Sequence, residues 1–325
     1  MLNFTTLFYA NYLAKGVALC KSLERTCENY HLYVFAMDDD CYKLLSNIQL
    51  NNVTIITLSL LEEFYQDLLR IKDTRNKGEY SWTCKGPSLQ YCIEKYNLDA
   101  CTYLDADLYF YSDPAVLYKD NEHYDVLLTD HRYTAQYDLA ETNGKYCAQL
   151  MHFKANDNGL KVLKWWTDLC IEWCFASHEP GRFGDQKYLD RFKEEWDNIG
   201  EMNHIGFCAP WNIQQYKVNN INDKIKVVLD KTIDNLVFYH FHFFRNQDFG
   251  KYNEFLLGPY KLDKNVRKYI YQPYIEEIKG ITRAIDRMSN VDVLASSKTL
   301  MSFLKLILHC IKNFYTQNKI IWKRR

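Results

Sequence analysis

The sequence has little of what breaks or tethers a chain. Only 12 glycines and 6 prolines occur in 325 residues, which argues against long flexible linkers or low-complexity arms. The 11 cysteines are scattered, odd in number and form no Cys-x-x-Cys pair, so they read as buried thiols in a reducing compartment rather than a disulfide framework. Formal net charge is −1, and no overall basic balance favours nucleic acid. No apolar run is long enough to span a bilayer, and the opening MLNFTTLFYANYLAKG carries neither a basic leader nor a small-residue cleavage site. The expected location is cytoplasmic. What the chain does have is apolar and aromatic mass. It is 47% hydrophobic and 16% aromatic, with 26 tyrosines, enough for one large core or two modest ones.

Strand and helix signals alternate from the start. NFTTLFYA reads as a strand, NYLAKGVALCKSLERTC as a helix, HLYVFAM as a second strand, DDDCYKLLSNIQL as a second helix and VTIITL as a third strand. Gly86 to Tyr96 reads as a helix leading into the strand before Asp105. Such alternation predicts an α/β fold with a mostly parallel sheet covered on both faces. Ligands of these sheets bind beyond the carboxyl ends of the strands.

Two Asp-x-Asp triplets fall at such ends, and one is expected by chance about once in a chain of this length. Asp38 and Asp40 precede an amphipathic helix, where acidic side chains cap free N–H groups and meet the positive end of the dipole. Asp105 and Asp107 differ, because the chain runs on as LYFYSDP, still strand-like. In an extended chain both carboxylates point the same way, and they repel unless a cation lies between them or a proton is shared. The spacing suits Mg²⁺ or Mn²⁺ completed by phosphate oxygens and water. Further on, NLVFYHFHFFRN places His240 and His242 on one face of an apolar strand.

Together with the preceding hundred residues, YLDADLYFYSDP resembles the Asp-x-Asp motif of GT-A glycosyltransferases, above all the family-eight-type enzymes and related bacterial proteins, over roughly residues 1–260. The resemblance implies a GT-A catalytic domain at 1–262, a Rossmann-like sheet with helices on both faces. Its nucleotide-sugar half would be about 1–115 and its acceptor half about 116–262, with a C-terminal helical region at 263–325. It implies Mn²⁺ (or Mg²⁺) held by Asp105, Asp107 and His240, with Asp105 also serving the ribose. Phe243 stands where the family's His-x-x-Gly has its glycine, and Arg245 replaces a lysine on the phosphate. In the first-strand loop, Thr6, Tyr9, Asn11 and Tyr12 are the expected nucleoside contacts, with Tyr9 where the family has aspartate. Cys147, Ala148 and Gln149 replace the family's Asn-Ala-Gly, and Gln149 keeps hydrogen-bonding capacity for sugar hydroxyls. In GRFGDQKYLDRF, Asp185 would orient the sugar and Gln186 would lie near its anomeric carbon. The implied reaction moves a sugar from a nucleoside-diphosphate donor, UDP first, to a hydroxyl of a glycan or glycolipid acceptor. Retention of configuration and a role in surface polysaccharide or glycolipid synthesis come with the resemblance.

Other classes fit less well. An Asp-x-Asp phosphatase wants its motif on the first strand, and a nucleotidyltransferase wants a glycine-rich phosphate loop, which TTLFYANYLAKG is not. A catalytically inactive sugar-nucleotide-binding scaffold is compatible with the departures at Tyr9, Cys147 and Phe243. Trp166, Leu169, Cys170 and Trp173 form a core-facing stripe, and Cys170 and Cys174 lack a partner pair for a metal. Trp211 and Asn212 fit either packing or a sugar-stacking wall. The tail from Lys298 to Arg325 carries seven Lys or Arg and no acidic residue. Leu300, Phe303, Leu304, Ile307, Leu308, Ile311 and Phe314 recur at helical spacing there. That stripe fits a helix docked on the domain, or peripheral membrane contact through 298–325 with Trp322 at the interface on the inner face of the cytoplasmic membrane.

Overall fold

The computed structural model describes residues 1–248, 252–288 and 319–323. In chain order, eight strands matter most for the site: β1 (Leu2–Phe8), β2 (Tyr30–Ala36), β3 (Val53–Thr57), β4 (Ala100–Leu104), β5 (Leu108–Phe110), β6 (Val126–Asp130), β7 (Tyr146–Lys154) and β8 (Ile199–Glu201). Seven of them form the central sheet in the order β3-β2-β1-β4-β7-β6-β8. Pairing is parallel throughout except at β7, which runs antiparallel to both β4 and β6. The sheet is thus mostly parallel, as the alternating strands and helices predict.

Period-two alternation along β2 shows how the sheet is buried twice. Leu32, Val34 and Ala36 enter one apolar core, and Tyr33, Phe35 and Met37 enter another. The first core is closed by the helix Leu13–Thr26, through Leu13, Val17, Leu19 and Leu23, and by the helix Gln272–Met288, through Tyr274, Ile275 and Ile278. The second is closed by the helices Lys77–Tyr96 and Asp157–Glu172, including Trp166, which is fully buried. Helices on both faces leave the sheet's carboxyl end as the open edge. There Phe8, Ala36 and Thr57 lie level across β1, β2 and β3.

Local chemistry accounts for the helix starts. Asp38 caps the helix Asp39–Ser46 by accepting from the Cys41 N–H at 2.9 Å, so the first aspartate triplet has the structural role expected of it. The helix expected from Gly86 begins earlier, at Lys77. Asn76 accepts from the N–H groups of Gly78 and Glu79 while Glu79 accepts from the Asn76 N–H, a capping box that starts the helix nine residues ahead of Gly86. Of the C-terminal helical region, Gln272–Met288 is a helix. The stripe from Leu300 to Phe314 lies outside the described residues. Lys319–Lys323 corrects the helical expectation locally, being a strand antiparallel to Tyr252–Leu256. No helix among the described residues is long and apolar enough to cross a membrane.

The helices Lys77–Tyr96 and Asp157–Glu172 meet at Gly86, where an added β-carbon would lie 2.1 Å from Oγ1 of Thr167 and 3.3 Å from its Cα. Gly86→Ala should therefore destabilise the protein by about 1–3 kcal/mol despite its better helix propensity. Urea unfolding checks this. Adding Thr167→Ala should give a double variant less destabilised than the sum of the two single changes.

Candidate active site at the carboxyl edge of the sheet

β4 ends at Leu104, and the Asp105 N–H donates to the Gln149 carbonyl of β7 at 2.8 Å. The chain then turns. The Leu108 N–H donates to the Asp105 carbonyl at 3.1 Å and the backbone re-enters as β5. The extended backbone expected through Asp105–Asp107 is thus corrected to a turn, and the turn makes the carboxylates converge. β5 pairs antiparallel with the strand Phe238–His240, Leu108 opposite His240, and the Phe241 N–H donates to the Asp107 carbonyl at 2.9 Å. This pairing delivers a histidine from 133 residues downstream to the aspartate turn.

The result is a compact donor set. His240 Nε2 lies 3.0 Å from Asp107 Oδ1 and 3.9 Å from Asp105 Oδ2, and one ligand atom from each of the three residues falls within 4.8 Å of the others. Adjacent ligands of a six-coordinate divalent ion with bonds near 2.1 Å are about 3 Å apart, so this set can close on Mg²⁺ or Mn²⁺ with modest adjustment. His240 is oriented for it. Its Nδ1–H donates to Oε1 of Gln149 at 2.7 Å, which leaves Nε2 facing the carboxylates.

Two lysines, Lys85 buried and Lys15 half-buried, complete the electrostatics. Lys15 Nζ is 3.4 Å from Asp107 Oδ2. Burial opposes ionisation of Asp107, but the Lys15 ammonium and His240 outweigh it and hold the carboxyl well below the usual range. Lys85 was not among the residues expected from sequence. Its Nζ lies 2.9 Å from Asp105 Oδ1, 2.9 Å from Asp185 Oδ2 and 3.1 Å from the Ala148 carbonyl. Burial works against the charged amine, yet the two carboxylates raise its pKa well above the ordinary value. For Asp185, burial raises the pKa, and repulsion from Asp105 adds to this against the pull of Lys85. The signal available in sequence was a lysine inside the small, apolar run TCKGPS, since lysine is almost never fully buried without a partner.

Asp105, Asp107, His240, Lys85 and Asp185 line a cavity of about 730 Å³, while Lys15 lies behind Asp107 outside its lining. Tyr9, Asn11 and Tyr12 form part of its wall, as expected of the first-strand loop, and Lys77 Nζ lies 4.6 Å from the centre of the Tyr9 ring. Asp185 and Gln186 also line it. Asp185 makes no cap for the short helix that follows; its carboxylate meets Lys85 instead. Three expected contacts fall elsewhere. Thr6 is fully buried within β1 and does not line the cavity, so nucleoside contact from it is not supported. Gln149 is buried behind His240, where it positions the imidazole instead of meeting sugar hydroxyls. Arg245 is exposed and not among the lining residues, although its charge bears on Tyr12, Lys15 and His242. Trp211 is packed and lining at once. Its Nε1–H donates to the His131 carbonyl at 2.9 Å while its ring meets His240 and His242 edge to face. Burial, with His240 beside it, pushes the His242 pKa down to about 3, so that ring is neutral.

The fold and this site define a protein built on the GT-A glycosyltransferase fold. The structure resembles that of the galactosyltransferase LgtC in complex with donor and acceptor sugar analogs, with a TM-score of 0.50 at 13% identity over 86% of this chain and 96% of LgtC. No family model matches the sequence. It is 30% identical over 283 residues to the uncharacterized protein YfnD of Bacillus subtilis (strain 168), covering 85% of this chain and 88% of YfnD. It is 32% identical over 254 residues to YfnF of the same organism, covering 74% of this chain and 82% of YfnF. The chain belongs to the family of YfnD and YfnF.

Lys85 neutralises two acids, so Lys85→Met should cost about 3–5 kcal/mol near neutral pH, the range for breaking a buried ion pair. The loss should depend on pH with a definite sign. In the native protein Asp185 already titrates above its unfolded value. Without the lysine it titrates higher still, and a raised carboxyl pKa costs stability as pH rises through it. Urea unfolding should therefore find a smaller deficit at pH 5 than at pH 8.

Proposed function

We propose that the protein is a metal-dependent glycosyltransferase that moves a sugar from a nucleoside diphosphate, UDP first, to an acceptor hydroxyl. The observation that carries this reading is the convergence of Asp105, Asp107 and His240 beside a large cavity at the carboxyl edge of a GT-A sheet. LgtC, which shares the fold, is a galactosyltransferase that binds donor and acceptor sugar analogs.

Each residue then has a task that its surroundings support. Asp105, Asp107 and the Nε2 of His240 would hold Mn²⁺ (or Mg²⁺), and Gln149 keeps the imidazole turned toward them. When bound, that cation neutralises the diphosphate and so stabilises it as a leaving group. Tyr9, Asn11 and Tyr12, which form part of the cavity wall, receive the nucleoside. Lys85 fixes the Asp185 carboxylate, so that Asp185 can accept from sugar hydroxyls in one orientation, with Gln186 beside the reacting carbon. The Asp105–Lys85–Asp185 chain links the donor's phosphate end to its sugar end. Retention of configuration follows from the likeness to family-eight-type enzymes. The acceptor is a glycan or glycolipid of surface polysaccharide synthesis, met in the cytoplasm or at the inner face of its membrane through residues 298–325.

The departures at Tyr9, Cys147 and Phe243 favour one competing reading, a scaffold that binds sugar nucleotides without turning them over. Calorimetry of UDP with and without Mn²⁺, followed by a screen of nucleotide sugars for hydrolysis, decides the matter. We expect metal-dependent UDP binding and slow hydrolysis of one donor. Asp107→Ala should weaken metal-dependent binding by more than about 100-fold, beyond the usual effect of changing a residue that only supports a ligand. Undiminished turnover in that variant would sink the metal assignment, and binding without any turnover would select the scaffold.

A further inference from the structure

Phe243 occupies a conformation that its side chain does not favour. The Phe244 N–H donates to the Phe241 carbonyl at 3.0 Å, which closes a tight turn with His242 and Phe243 at its centre. Phe243 is the third residue and has φ +59°, whereas His242 is not among the positive-φ residues. That pattern is of type II, whose third position calls for glycine or asparagine. A bulky residue in the left-handed region is a true outlier, and such strain persists where the surroundings impose it and function uses it.

Burial does not compensate this strain, because Phe243 remains 47% exposed. Its ring lines the main cavity, three residues beyond His240. The opposing segment is shaped to receive it. Gly258 has φ +92°, and a β-carbon there would come within 3.3 Å of the Phe243 Cβ. Beyond Gly258, Tyr260 lies 6.4 Å from Phe243 between ring centres, and Tyr137 meets Tyr260 edge to face at 5.0 Å. Tyr137 is held in place, since its hydroxyl accepts from the Lys261 N–H at 2.6 Å. Gln136, Asp138 and Asn143 supply polar groups along the same wall. An aromatic rim edged by carboxylate and amide groups is what a pyranose requires: a flat apolar face for its C–H groups and partners for its hydroxyls.

We propose that Phe243, with Tyr260 and Tyr137, forms a rim that receives the sugar ring of the acceptor and makes Phe243 a specificity-determining residue. The inference rests on the sugar-transfer reading and adds the chemical class of the acceptor end, a saccharide presented ring-first. The donor lies toward the first-strand loop and the Asp105–Asp107–His240 set, so changes at the rim leave nucleotide binding intact.

Saturation-transfer NMR on the full chain with diamagnetic Mg²⁺ and UDP tests this. The probe is a mixture of the methyl glycosides of glucose, galactose and mannose. The wild type should transfer saturation to the sugar ring C–H protons. Phe243→Gly should reduce that transfer by about tenfold, the scale of one lost aromatic contact, and Phe243→Trp should restore it, with UDP signals equal in all three proteins. Because glycine suits the turn, Phe243→Gly should melt at or above the wild-type temperature, so its loss of transfer would not reflect misfolding. Saccharide signals absent from the wild type, or unchanged in Phe243→Gly, would overturn the inference. So would a parallel loss of UDP signals in Phe243→Gly, which would assign the ring to the donor side. Absence of UDP signals in the wild type would overturn the sugar-nucleotide reading itself, and this inference with it.

Discussion

Gathering carboxylates in a poorly hydrated place is the constraint on which the rest of the site depends. Asp107 and Asp185 are buried and Asp105 is half-buried, all at one edge of the sheet. Like charges this close raise one another's pKa and push elements apart unless cations stand between them. The chain answers from three directions. The helix after β1 sends Lys15, the helix Lys77–Tyr96 sends Lys85, and the strand Phe238–His240 sends an imidazole. Three carboxylates set against two ammonium groups leave one negative charge in direct contact before the His240 imidazole is counted. A divalent cation held by Asp105, Asp107 and His240 would supply the positive charge that this balance lacks.

The same accounting explains why the supporting elements are placed as they are. Lys85 lies beside Gly86, the point at which its helix comes close to Asp157–Glu172 at Thr167. Trp166 on the second helix donates to the Asp185 backbone carbonyl at 2.8 Å, fixing the segment whose carboxylate Lys85 holds. The packing of the second core and the charge balance of the site are therefore one problem, solved along the same pair of helices.

Much of the fold was legible from the chain because its signals are local. The alternation of β2 and the spacing of the first helix are periodic patterns, and both aspartate triplets stand where strands end. The aspartate pair and His240 were legible through residue type and likeness, but neither the turn that carries the aspartates nor the reason they meet His240 was. It lies in the pairing of β5 with Phe238–His240, a non-local register that no window of sequence displays. Lys85 was missed for a related cause. Its function comes from two partners 20 and 100 residues away, and its own helix began before the apolar period that announced it. Gln149 carried a hydrogen-bonding group with no indication of whom it would serve, and the structure gives that group to His240.

The two aspartate triplets bring these points together, since they share a pattern and part in fate. Asp38 gives its Oδ1 to the Cys41 and Ala10 N–H groups, which satisfies a helix start, while its Oδ2 lies 3.7 Å from Lys77 Nζ. At Asp105 and Asp107 no helix follows. Local backbone N–H groups therefore do not absorb the carboxylates, and neutralisation must come from distant side chains or from a bound ion. Asp38 is thus committed in part to the backbone of the helix it starts, whereas Asp105 and Asp107 face side chains that converge from three separate elements.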